Sequence, residues 1–125
     1  MPTEFCAALA TWVGASQALY YVLTGLWPLV SMPTFLRASG PKTDLWLVQI
    51  VAVLVLLIGV VIALATLRQN QSPEVIVLAM GAAVAFAGVD IVFHAQRIIP
   101  RIYLADAAIQ LAILILWQWS LLCRT

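Results

Sequence analysis

Charged side chains are scarce in this chain, and their scarcity decides its class. Only 9% of the 125 residues are Asp, Glu, Lys or Arg, whereas 65% are hydrophobic, and the mean hydropathy is +1.09. Water-soluble domains average about 25% charged and about 45–50% apolar residues. Because a core of this length could not hide so much apolar surface from water, we expect lipid to cover much of it.

Several patterns that carry chemistry are also missing. The net charge is +1 and no basic patch exists, which argues against nucleic acid as a partner. The sequence has no phosphate-binding glycine loop, no HExxH and no haem-attachment CxxCH. A single histidine disfavours a transition-metal site, so we predict neither a metal nor a cofactor.

Cysteine is limited to Cys6 and Cys123. An even number of membrane crossings would place both on one side, where a disulfide could form if that side is oxidising. We favour two unpaired small apolar residues near helix ends, because no CxxC or zinc-ligand spacing accompanies them.

Apolar runs, by contrast, are abundant. Four of them have about the ~20 residues that a helix needs to cross ~30 Å of hydrocarbon. Continuous Leu, Val, Ile and Ala favour helices over barrel strands, which would alternate over ~10 residues. Short links between the runs predict an all-α integral membrane protein, an up-down-up-down four-helix bundle forming a single domain over residues 1–125. The predicted helices are approximately 7–30, 45–67, 75–96 and 102–122.

The links and helix ends carry recognisable signals. The first link, residues 31–44, is partly apolar, and we expect it to lie on the bilayer surface. Thr43 or Asp44 is a suitable N-cap for the second helix, and Ser72 is a suitable N-cap for the third. Trp117 and Trp119 are expected in the aromatic belt at the membrane interface.

A stripe of small residues marks the third helix. Gly81 and Ala85 are four residues apart, and Gly88 follows three later. Small residues at such spacing let helix backbones approach closely in lipid, so we expect this stripe to pack against another helix.

The distribution of Lys and Arg predicts an orientation. The side of the first and third links carries four cations, whereas the side of the termini and the second link carries Arg68 and Arg124. The positive-inside rule places the first side in the cytoplasm. We therefore expect a multi-pass membrane protein with both termini on the outer side. The four cations are Arg37, Lys42, Arg97 and Arg101.

Polar residues within or beside the spans gather at the end of the first and third links. Asp90, His94 and Arg97 are spaced by four and three residues and so share one stripe of their helix. We interpret the whole group as a small polar vestibule that binds a ligand. Its candidate residues are Asp90, His94, Arg97, Asp106, Gln110, Gln49, Thr24, Lys42 and Asp44.

The charges of this group need partners. An intramembrane charge costs at least ~2.5–3.5 kcal/mol at the bilayer centre unless it is paired or hydrated. We expect Asp90 to pair with His94 or Arg97, and Asp106 to pair with Arg97, Arg101 or Lys42. A structural alternative stays open, in which Asp106 caps its helix and the arginines reach lipid headgroups. Asp90 fits that alternative least, because apolar residues flank it in the sequence.

Three stretches resemble a known group of proteins. They are YYVLTGLWP at 20–28, SGPKTDLWLVQ at 39–49, and D-x3-H-x2-R at 90–97 followed by YLADA at 103–107. Together they are similar to a family of small bacterial four-helix membrane proteins, loosely like the DoxX group, and GPKTDxWLV is their most specific part. The resemblance implies a four-helix membrane fold over most of the chain. It brings no established activity, so no catalytic residue is assigned.

Three functions remain open. The first is a bundle that binds or handles a small polar or amphiphilic molecule, or protons. The second is an accessory or structural subunit of a larger membrane complex, which predicts an outward stripe of small residues and a fully self-paired polar group. The third, ranked last, is a lipid-modifying enzyme with Asp90 and His94 as acid and base. The expected partners are the lipid bilayer and either further copies of this chain or a larger membrane complex.

Overall fold

Five helices account for most of residues 3–124, the part of the chain that this computed structural model describes. Four of them, all except α2, are long and apolar enough to cross a membrane, which confirms the prediction of an all-helical protein with four candidate spans. Their bounds lie within four residues of the predicted ones. The helices are α1 Thr3–Val30, α2 Met32–Ser39, α3 Leu45–Leu67, α4 Pro73–Ala95 and α5 Ile102–Arg124.

Helix α2 was not predicted, since the first link was expected only to lie on the bilayer surface. Proline in its first turn fits a helix start, since the missing amide hydrogen has no partner there in any case. Gly40 ends the helix with a φ of 95°, a conformation that glycine adopts without steric cost. The rings of Phe35 and Trp27 meet edge to face with centroids 5.6 Å apart, so α2 folds back against the end of α1.

The predicted caps are confirmed in position, and one of them is confirmed in its hydrogen bond. The Ser72 side chain accepts a hydrogen bond from the backbone amide of Val75 at 3.4 Å, as expected of an N-cap. Asp44 occupies the N-cap position of α3 but makes no capping hydrogen bond through its side chain.

Glycines bring α1 and α3 into close contact along their length. A Cβ atom at Gly25 would lie 2.7 Å from the backbone oxygen of Ala52, and one at Gly59 would lie 3.0 Å from the backbone nitrogen of Val22. Elsewhere α5 packs against both α4 and α1, whereas α3 and α4 share few contacts. The long helices therefore form two closely packed pairs, α1 with α3 and α4 with α5, joined mainly through α1 and α5.

The stripe of small residues on α4 points away from the other described helices. A Cβ atom at Gly81 or Gly88 would meet nothing within 4 Å, and Ala85 is exposed. No helix within residues 3–124 therefore makes the packing expected of this stripe. Inward-facing residues of α4, such as Ala79, Ala83 and Ala87, take the buried positions instead.

Cys6 and Cys123 form a disulfide that joins the first turns of α1 to the last turn of α5, with Cα atoms 5.7 Å apart. The favoured expectation of two unpaired cysteines is wrong. The two residues are separated by 117 positions in sequence, and only the return of α5 alongside α1 brings them together. We call this end of the molecule the disulfide end.

Candidate functional site

Two carboxyl groups meet between α4 and α5 near the end opposite the disulfide. Asp90 of α4 is only 6% exposed, and the carboxyl group of Asp106 of α5 is close enough to share a hydrogen bond with it. Each residue lies about 6–8 Å from the end of its helix at about 1.5 Å per residue, so the α4–α5 link brings them to one depth. We call these two residues the acidic pair and this end of the molecule the acidic end.

The two carboxyl groups have unequal partners. Oδ1 of Asp106 accepts a hydrogen bond from the hydroxyl of Tyr20 and another from Nε2 of Gln110 at 3.3 Å. Oδ2 of Asp90 is buried and has no hydrogen-bond partner among the described residues. The unsatisfied oxygen therefore belongs to the more buried acid of the pair.

A chain of buried polar side chains extends from the acidic pair toward the disulfide end. The hydroxyl of Tyr21 donates to Oε1 of Gln110 at 2.7 Å, and Gln17 lies within hydrogen-bonding reach of Tyr21. Gln17 accepts from the indole nitrogen of Trp117 at 2.7 Å and donates to the backbone oxygen of Ala79 at 2.8 Å. These bonds link α1 to both α4 and α5 through the interior.

The inner half of this series of hydrogen-bonded side chains was not predicted from the sequence. Gln17 and Trp117 are fully buried, so the expectation that Trp117 belongs to an interfacial belt is wrong. A signal was available, because Gln17 and Tyr21 are four residues apart and share one face of α1. Trp119, two residues further along α5, is exposed, which fits the belt expected for it.

Asp90 and Gln110 are the candidate residues that the structure buries, and together with Asp106 they form the centre of the site. His94 is half-buried and turns to the α4–α5 link, where Nδ1 lies 3.3 Å from the backbone oxygen of Ile99. Arg97 is exposed, with a φ of 61° just beyond the end of α4. Within residues 3–124 neither residue pairs with an acid, so the expected ion pairs are absent there.

Lys42 serves the end of α2 rather than the acidic pair. Its ammonium donates to the hydroxyl of Ser39 at 2.8 Å and to the backbone oxygen of Gly40 at 3.1 Å. The same group lies over the rings of Phe35 and Tyr103, at 5.2 and 5.4 Å from their centroids. These contacts satisfy the cation locally, and they also hold the link after α2 against the start of α5.

The remaining candidates lie apart from the acidic pair. Gln49 is exposed and lines an outward groove on α3 beside Trp46, Ile50 and Val53. The hydroxyl of Thr24 donates to the backbone oxygen of Tyr20 in its own helix at 2.5 Å. Asp44 is exposed at the start of α3.

A cleft of about 520 Å³ opens at the acidic end between two links. Ser39, Lys42 and Asp44 line one wall, and Ile98 and Tyr103 belong to the other. Tyr103 is three residues before Asp106 on α5, so the cleft lies about one helical turn outside the acidic pair.

Comparison with protein-family models, with curated proteins and with solved structures found no match to this chain. The residues of the chain therefore carry the evidence for its function.

Proposed function

We propose that this chain is a small integral membrane protein that binds or handles a small polar molecule, or protons, at the acidic pair. In this proposal the four long helices form an up-down-up-down bundle. The contacts of α1 run in reverse order along α3 and α5 and in the same order along α4, which supports this arrangement.

The observation that carries the proposal is the unsatisfied Oδ2 of Asp90. Buried polar atoms are almost always hydrogen-bonded, because a buried acceptor without a partner costs about 1–3 kcal/mol and a charged one costs more. A second carboxyl group beside Asp90 adds repulsion whenever both are ionised. A ligand that brings a proton or a positive charge would remove the repulsion and the cost of a buried negative charge.

The position of the pair favours access from the acidic end. Both acids lie within about 8 Å of the acidic ends of their helices, and the cleft opens at that end. At the other side of the pair, the interior chain from Gln110 to Trp117 is hydrogen-bonded and buried. Ionisable groups inside a membrane protein usually face such an interior and mark a functional site.

The accessory subunit is the second candidate, and the outward stripe on α4 favours it. Gly81, Ala85 and Gly88 offer a flat surface on which another helix could pack closely. The same hypothesis expects a fully self-paired polar group, and the unpartnered oxygen of Asp90 argues against that part. The enzyme hypothesis gains no support, because His94 contacts the link rather than Asp90.

We propose a bacterial inner membrane with both termini outside. The disulfide supports this orientation, because disulfides persist in oxidising compartments and are rare in the cytosol. More Arg and Lys residues lie at the end that contains the acidic pair than at the disulfide end, and the positive-inside rule independently gives the same orientation. A membrane-impermeant reductant added to intact spheroplasts should cleave the disulfide, and protection until the membrane is opened would reverse the orientation.

Native mass spectrometry of protein purified in mild detergent tests the proposed function. We expect wild type to retain a small molecule that Asp90→Asn loses, unless the only ligand is a proton. Glu74→Gln is the matched control, because Glu74 is exposed in the first turn of α4, far from the acidic pair and from the cleft. If wild type and both variants instead retain the same protein partner and no small molecule, and a proton at the pair is also absent, the accessory subunit is the better description.

A further inference from the structure

We infer that the acidic pair shares one proton and that Asp90 is the residue that carries it. The inference rests on the proposed function and deepens it by naming the ligand of the site. It also assigns different roles to two acids that look equivalent in the sequence, with Asp90 exchanging the proton and Asp106 accepting its hydrogen bond.

The need for a proton follows from the groups around the pair. Two ionised carboxyl groups within hydrogen-bonding reach would both be acceptors, so their contact would be repulsive. One proton converts that contact into a hydrogen bond from one acid to the other. The aspartates of acid proteases share a proton for the same physical reason.

No cation among the described residues replaces that proton. From α1 the facing titratable groups are Tyr20 and Tyr21, which are neutral phenols, and α3 contains no charged residue. On α4 the nearest titratable group is His94, which bonds the α4–α5 link. On the side of α2 and the start of α5, Lys42 lies over Tyr103 and donates to Ser39 and Gly40.

The distribution of donors assigns the proton to Asp90. Asp106 accepts from Tyr20 and Gln110, and donors of this kind stabilise the charged form of a carboxyl group. Asp90 is almost fully buried and its Oδ2 has no donor among residues 3–124, which disfavours its charged form. A protonated Asp90 would donate to Asp106 and leave only a neutral carbonyl oxygen unsatisfied.

A proton fits this place better than a metal ion. Within residues 3–124 no group of three His, Cys, Asp or Glu side chains could hold a metal ion. A hard divalent cation takes six or more oxygen ligands, whereas the pair supplies two carboxyl groups whose accessible surface is small. A proton needs only the contact between the two carboxyl groups.

Infrared spectroscopy of the whole protein in lipid tests the assignment. At neutral pH we expect wild type to show the carbonyl stretching band of a protonated carboxylic acid. Asp90→Asn should lose that band, because Asp90 carries the proton in this assignment. Glu74→Gln should retain it, because Glu74 is exposed at the other end of α4. A band that survives in Asp90→Asn would overturn the assignment to Asp90 while leaving a proton at the pair.

A second measurement uses wild type alone and so does not depend on a variant that folds. Dicyclohexylcarbodiimide is an apolar reagent that modifies protonated carboxyl groups inside membranes. We expect mass spectrometry to locate its adduct on Asp90 and not on Asp44 or Asp106. No adduct, together with no infrared band, would overturn the inference. The proposed function would then depend on the native mass spectrum, which reports a bound molecule independently.

Discussion

The hydroxyl of Tyr20 is the one side-chain donor that α1 contributes directly to the acidic pair, as far as residues 3–124 show. Its bond crosses from one helix pair to the other, since α1 packs with α3 and Asp106 belongs to the pair of α4 with α5. A phenol suits this position because it is neutral and its ring is apolar, so it adds a donor without adding a charge. Tyr20 therefore both ties the two helix pairs together and stabilises the charge on Asp106.

Replacing Tyr20→Phe should destabilise the protein by about 1–3 kcal/mol, because the lost bond has a charged acceptor. This loss of stability would be larger than the average of about 0.6 kcal/mol for hydrogen bonds between membrane helices. Reversible unfolding in mixed micelles measures the difference. Tyr103→Phe is the control, since its ring contacts Lys42 while its hydroxyl makes no hydrogen bond to a described residue. Equal losses in the two variants would contradict a special role for Tyr20.

Individual residues of the site differ in how far the sequence could place them. Depth along the helices was enough to bring Asp90, Asp106 and Gln110 together, because short links fix which helix ends are neighbours. Depth along a helix does not show how that helix is rotated about its own axis. Gln49 therefore lies at the expected end of α3 but faces outward. Arg97 has the sequence spacing of the Asp90 stripe, but α4 ends before Arg97, so Arg97 does not lie on that helix.

Helices α1 and α3 are packed through glycines, and this arrangement depends on the absence of side chains. Gly25 lies against backbone atoms of α3, which cannot move aside as the end of a flexible side chain can. Gly59 of α3 makes the reciprocal contact with the backbone of α1. Close approach of this kind increases van der Waals contact, which drives helix association where lipid removes the hydrophobic driving force.

A pair of substitutions tests this packing. Gly25→Ala should destabilise the protein by about 1–3 kcal/mol, because its Cβ atom would clash with Ala52 and Leu56. Gly81→Ala should have no such cost, and its better helix propensity would be worth about 0.5–1 kcal/mol in the opposite direction. Thermal unfolding in detergent compares the two. A loss in Gly81→Ala as large as in Gly25→Ala would show that the α4 stripe also packs against something.

At the scale of elements, the sequence predicts which segments are helical better than it predicts which faces meet. Apolar length identified the four long helices, because crossing hydrocarbon leaves few other structures for the backbone. The same apolarity hid their inner faces, since lipid-facing and core-facing residues are equally hydrophobic in α3 and α4. Small residues therefore did not show which face of α4 meets the other helices of the chain. Helix α2 was missed because its eight residues are too few for an apolar run.

The whole molecule has a covalent link at one end and the acidic pair at the other. The Cys6–Cys123 bond closes a loop of 117 residues, so it restricts the unfolded chain strongly. Toward the acidic end, hydrogen bonds from Tyr20 and Tyr21 to α5 hold the same two helices together without a covalent bond. The covalent link and the chemistry of the site thus lie toward opposite ends of the same two helices.

Reduction of the disulfide should lower the free energy of unfolding by about 2–5 kcal/mol in the chain-entropy description of cross-links. Thermal unfolding in detergent with and without a reductant measures this change. The Cys6→Ser, Cys123→Ser double variant is the control, because its unfolding should not respond to the reductant. An identical response of both proteins would show that the reductant acts elsewhere.

The covalent joint also decides how α1 and α5 can separate. With their disulfide ends fastened, any angular motion between the two helices pivots there, and displacement grows with distance from Cys6. Tyr20 lies roughly 21 Å along α1 from that pivot at about 1.5 Å per residue. An angle of about 5° would therefore move its hydroxyl by about 2 Å, which exceeds the tolerance of a hydrogen bond. An opening of α1 away from α5 would therefore break the hydrogen bond between Tyr20 and Asp106.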